Sequence, residues 1–135
     1  MREILFRGKR IDNGEWVYGA YYGLCRMTNK AGDFGYAHLM RQSNDEPLYR
    51  VDPETVGQFT GMYDRNGKKI FEGDIIAFRS SESIYEVAYD ITDSKFIILL
   101  RNGKDSFLRF YNISAYYFSV IANKWDNPEL LEVKE

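Results

Sequence analysis

The chain has 135 residues, 44% of them hydrophobic and 28% charged, with only 3 prolines, which is the composition of one globular domain and excludes a disordered tail. A single cysteine, Cys25, excludes an intramolecular disulfide and any multi-cysteine metal site, and a single histidine, His38, excludes a paired-histidine site within one chain. A net charge of −2 lacks the strongly basic footprint of a dedicated nucleic-acid binder.

Aromatic residues make up 16% of the chain, and tyrosine leads them with 11 copies. Aromatic side chains fit a pleated surface, so the composition points to sheet. Asn-Gly occurs at Asn13-Gly14, Asn66-Gly67 and Asn102-Gly103, each between apolar or aromatic stretches. Both residues tolerate positive φ, which tight hairpin turns require. Three hairpins in so short a chain read as all-β.

In chain order, period-two alternation predicts strands over 3–11 and 15–22 around the first Asn-Gly turn. Residues 23–35 read as a loop, because Gly and Asn recur too often for a long element. A strand is expected over 36–41, and a short extended piece over 49–51, where Pro53 disfavours a helical Asp52. After the second Asn-Gly turn come a short strand at 69–71, a tight Glu72-Gly73-Asp74 corner and a strand over 74–78. Strands are expected at 84–89, 95–100, 106–110 and 116–122, and a short closing helix where Asn127 caps Pro128. The expected architecture is a small Src-homology-type barrel in the C-terminal half, with a β-hairpin lobe of the N-terminal half packed against it. The chain reads as one domain, with lobes of about 1–56 and 57–135.

The first residues reach only a three-residue apolar run before charge returns, and the longest apolar run is Phe96–Leu100. A signal peptide needs about 7–15 apolar residues and a membrane span about 18. A soluble, cytoplasmic protein without a membrane partner is expected.

The block Val51-Asp52-Pro53-Glu54-Thr55-Val56-Gly57-Gln58-Phe59-Thr60-Gly61, continuing through Asp64-Arg65-Asn66-Gly67-Lys68-Lys69-Ile70-Phe71-Glu72-Gly73-Asp74-Ile75, resembles the YopX family of bacteriophage and prophage proteins. The opening Arg7-Gly8-Lys9 with Asn13-Gly14-Glu15-Trp16-Val17-Tyr18-Gly19, and the closing Asn127-Pro128-Glu129-Leu130-Leu131, are similar to the same family's start and end. The resemblance implies a small phage-associated protein and brings no catalytic residue to carry over.

The residues themselves give little catalytic signal. Gly61 to Lys69 lacks the glycine spacing and the Ser or Thr of a phosphate loop, and Asp64 with Asn66 lacks the glycine and distal glutamate of a calcium loop. Glu72 and Asp74 could chelate a cation, but an Asp after Gly more often bonds nearby amides in a turn. Cys25 and His38 make a nucleophile pair only if the fold joins them. No enzyme activity and no cofactor are expected.

Two binding readings remain. The first 30 residues hold six basic residues against three acidic ones. Arg7, Lys9 and Arg10 interleave there with Trp16 and nearby tyrosines, the composition of a single-stranded nucleic-acid platform. The run Tyr111 to Phe118, with Tyr111, Tyr116 and Tyr117, offers ring surface for self-association, and a homo-oligomer is expected first. Nucleic acid, or another phage or host macromolecule, is the alternative partner.

Overall fold

The computed structural model describes residues 3–78, 84–91, 94–100, 107–109 and 117–131. It is all-β apart from single-turn 3₁₀ geometry near the C-terminus, and it divides into two compact units, Met1–Gln58 and Phe59–Glu135.

The first unit contains β1 (Phe6–Arg10), β2 (Trp16–Thr28), β3 (Phe34–Arg41) and most of β4 (Tyr49–Tyr63). The strands pair antiparallel in the order β1-β2-β3-β4, and β4 returns to β1, so the ring closes into a small barrel. Alternation sorts its residues. Val17, Met40 and Val51 form the buried centre, with Phe6, Tyr21, Tyr49 and Val56 packed around them. Gly8 faces this centre, where a Cβ would lie 2.8 Å from the Met40 sulfur and 3.1 Å from Val56. The expected N-terminal hairpin is there, turning at Asn13-Gly14 with Gly14 at φ 74°, and β3 and β4 extend it into the ring.

Two sequence expectations change here. Residues 23–35 are not a loop, since β2 runs on to Thr28 and β3 begins at Phe34. The register passes from Tyr21↔Met40 to Leu24↔His38, three steps on β2 against two on β3. Gly23, at φ 73°, supplies the left-handed conformation that such a bulge needs. Likewise 49–51 is the start of a 15-residue strand. Between Arg7↔Gly57 and Lys9↔Asp52 the register takes five steps on β4 against two on β1, and Pro53 sits inside that excursion, where its missing N–H breaks no ladder. Buried Thr55 repairs the gap: its hydroxyl accepts from Lys9 N (2.9 Å) and donates to Asp52 O (2.6 Å).

The second unit holds the end of β4, paired with β5 (Lys69–Phe71), and a five-stranded sheet. Its strands β6 (Asp74–Phe78), β7 (Ile84–Asp90), β8 (Lys95–Leu100), β9 (Phe107–Arg109) and β10 (Phe118–Asn123) run in the order β10-β6-β7-β8-β9. A meander whose last strand returns to the first is consistent with the expected Src-homology-type barrel. Ile70, Ile76, Val87, Ile98 and Phe118 form its core. Pro128–Leu131 makes one 3₁₀ turn after Asn127, whose carbonyl accepts from Leu130 N. The Asn102-Gly103 turn lies outside the described residues.

Candidate functional site

The structure brings three of the four N-terminal candidates together. Arg7 and Lys9 lie two apart on β1, and Trp16 is the cross-strand partner of Lys9. The Arg7 guanidinium stands 4.8 Å from the Trp16 ring centroid and the Lys9 ammonium 5.6 Å from it. Arg7 is only 4% exposed. Arg10 turns elsewhere: it lies 4.0 Å over the Tyr49 ring, donates from Nε and Nη2 to the Asp12 carboxylate, and reaches Glu15 at 3.9 Å. The hydrogen bonds to Arg10, opposed by partial desolvation, hold the Asp12 carboxyl below its usual range. These cations already have internal partners.

A different cation–aromatic surface lies on the β2–β3 ribbon. Pairing with β1 ends at Gly19 and pairing with β4 ends at Leu39. Beyond those points Leu24–Thr28 and Phe34–His38 pair only with each other among the described residues, so both outer edges are open. The turn between them is built by Asn29, whose Oδ1 accepts from Ala31 N and Asp33 N while its carbonyl accepts from Gly32 N. Cross-strand register puts Leu24 beside His38, Arg26 beside Tyr36 and Thr28 beside Phe34 on one face. Leu24, Phe34 and Tyr36 are 62%, 57% and 64% exposed. Arg26 lies 4.1 Å over the Phe34 ring, which meets Tyr36 edge-on. On the opposite face, at the base, Arg41 lies over exposed Tyr22 and donates from Nε to its hydroxyl (3.0 Å). Among the described residues Arg26, Lys30 and Arg41 have no carboxylate partner.

The remaining candidates separate. Tyr111 and Tyr116 lie outside the described residues. Tyr117 is half-exposed, with its ring 6.3 Å from that of Phe78. His38 does not pair with Cys25. Its Nδ1 shares a 2.6 Å hydrogen bond with the Tyr21 hydroxyl, and the Cys25 thiol turns to the Tyr22 and Gly23 carbonyls. Burial, with Cys25 a lesser contributor, raises the Tyr21 hydroxyl above its ordinary pKa.

Asp64 and Asp74, two of the acidic residues that invited a metal reading, serve turns. Asp64 Oδ1 accepts from Asn66 N and Lys68 N, and its Oδ2 accepts from Val120 N (2.9 Å), which fastens β10 to the Asn-Gly turn. Burial raises the Asp64 carboxyl, but these three amides and the Lys68 charge outweigh it and leave the group below its usual range. Asp74 Oδ2 accepts from Phe71 N across the Glu72-Gly73 corner (2.7 Å). No group of three or more His, Cys, Asp or Glu that could hold a metal occurs among the described residues, and no helix there is long and apolar enough to cross a membrane.

A closed four-stranded ring, a meander with a returning strand and a two-stranded ribbon with open edges define a small all-β module. The family model described as YopX protein matches residues 5–132, and the chain belongs to that family. It is similar in fold to protein EF1440 from Enterococcus faecalis, at 21% identity and a TM-score of 0.53, over 98% of this chain and 100% of that one. Protein yopX from Bacillus subtilis, at 20% identity and a TM-score of 0.48, covers 97% of this chain and 98% of its own. No curated protein matches the chain.

Proposed function

We propose that this YopX-family chain is a non-catalytic accessory module, phage-associated and working in the cytoplasm of the bacterial host, that acts by docking a macromolecule on its β2–β3 ribbon. One observation carries the reading: Leu24, Phe34 and Tyr36 stand more than half exposed on one face of a ribbon whose outer edges are both open. A two-stranded ribbon is marginal alone, and open edges invite a partner. Two partner classes suit such an element. The edges would serve a second copy of the chain, and the unpaired cations among the rings would serve a polyanion.

The test is light scattering on the purified chain, with the ratio of nucleic-acid to protein absorbance read across the same peak. The reading expects a mass above one chain or an excess nucleic-acid absorbance, lost in a Leu24→Ser/Phe34→Ser/Tyr36→Ser variant that still melts cooperatively. A peak of one chain mass without nucleic acid, unchanged by the variant, overturns it.

A further inference from the structure

We infer that the ribbon's partner is single-stranded nucleic acid, an inference that rests on the ribbon being the docking element. Charge decides between the two occupants. From Trp16 to Arg41, the whole of β2, its turn and β3, the cations are Arg26, Lys30 and Arg41 and the only acid is Asp33. A second copy laid on this ribbon would bring those cations against their own kind, with one carboxylate per chain to offset them. A polyanion meets them with complementary charge.

The rings fit the same partner. Phe34 and Tyr36 offer exposed π surface within one ribbon face, and the Arg26 guanidinium is a flat cation at that surface, 4.1 Å from the Phe34 ring. Unstacked bases gain by lying on aromatic rings or on guanidinium planes, while ammonium and guanidinium groups track the phosphates. Duplex DNA has its base faces already stacked and offers these rings nothing. Arg41, over Tyr22 on the other face at the base of the ribbon, supplies a second cation–ring pair, so a strand crossing the ribbon edge meets both. Lys30 sits in the turn at the far end. This is the chemistry that the sequence suggests for Arg7, Lys9, Arg10 and Trp16, carried instead by cations without carboxylate partners.

The experiment is fluorescence anisotropy of the full chain with labelled thymidine and uridine oligomers of about 20 nucleotides, and with a duplex of equal length, across a salt series. The expected result is binding of the single strands in preference to the duplex. Affinity should fall about tenfold or more in Phe34→Ser/Tyr36→Ser. Because each phosphate neutralised on a single strand contributes about −0.7 to the slope of log K against log salt, Arg26→Gln/Arg41→Gln should flatten that slope by about 1.4. The arginine variant keeps every ring, so it decides the matter if the ring variant fails to melt cooperatively. Equal or tighter duplex binding, or single-strand binding that neither variant weakens, overturns the inference. Absence of binding together with a dimer that Phe34→Ser/Tyr36→Ser dissociates overturns the nucleic-acid partner and keeps the ribbon as docking element. Absence of binding with a monomer by light scattering overturns both.

Discussion

The β1–β2 hairpin and the outer β2–β3 ribbon share one strand and use the same kinds of residue, yet they spend them differently. In the hairpin Arg7 and Lys9 flank the Trp16 ring, and Arg10 is held by Asp12, Glu15 and the Tyr49 ring. In the ribbon Arg26 and Arg41 lie on rings that remain exposed, and no carboxylate among the described residues meets them. A cation enclosed by its own chain's rings and carboxylates belongs to the folded structure. One that stays uncompensated beside exposed rings contributes nothing to folding that an outside partner could not exceed. The same residue types are therefore absorbed by internal partners in one place and left exposed in the other, and the carboxylates and the burial decide which.

Substitutions sharpen that contrast. The largest loss is expected at a fully internal position. Gly73 has φ 92°, its N–H donates to Val87 O, its carbonyl accepts from Lys124 N, and a Cβ there would overlap the Trp125 ring. Gly73→Ala combines overpacking with left-handed strain and should cost about 2–5 kcal/mol in urea unfolding.

Asp64→Asn should cost about 1–3 kcal/mol at neutral pH, since it removes the charge of a buried carboxylate that accepts from three amides. Because the folded carboxyl lies below its unfolded value, the stabilisation is complete above the unfolded pKa of about 4 and is lost as pH falls through the folded value. Unfolding curves of the two proteins should therefore differ at neutral pH and converge in strong acid. A gap that widens on acidification would refute the assignment.

Trp16→Leu, which removes the ring shared by Arg7 and Lys9, should cost about 1–2 kcal/mol by the same measurement. The smallest effect belongs to the ribbon. Arg26→Gln and Tyr36→Ser should each leave stability within about 0.5 kcal/mol of the parent, as surface changes do. A loss as large as that of Trp16→Leu would erase the contrast between the two regions.

Much of the fold was legible because local chemistry and tertiary structure agree. The apolar stretches at 74–78 and 95–100 are strands with those bounds, and the Asn-Gly turns at Gly14 and Gly67 have positive φ. Of the ribbon, only the stretch from Tyr36 onward was legible as strand. Gly23, Gly32 and Gly35 look alike in sequence, but one is a bulge, one ends the turn and one lies inside β3 opposite Met27. Glycine frequency says loop, and only register separates the three uses. Pro53 misled in the same way, because the excursion of β4 that accommodates it depends on Thr55 reaching across to β1. For the candidate site, the pairing of cations with rings was readable. What the sequence did not display is the burial of Arg7 and the acids that gather around Arg10, which are facts of packing.

The Asp64 clasp belongs to the unit that leaves the ribosome last. Its Oδ2 bonds an amide 56 residues further along, and β10 closes against β6 over 40 to 49 residues, a reach similar to the 41 to 52 residues over which β4 closes against β1 in the first unit. Closures of similar reach lose similar loop entropy, so it is the order of synthesis that separates the two units. During synthesis the N-terminal ring, ribbon included, can assemble while the second unit still waits for Phe118 to Asn123 to leave the ribosome. The ribbon is thus presented to the cell before the molecule that carries it is finished.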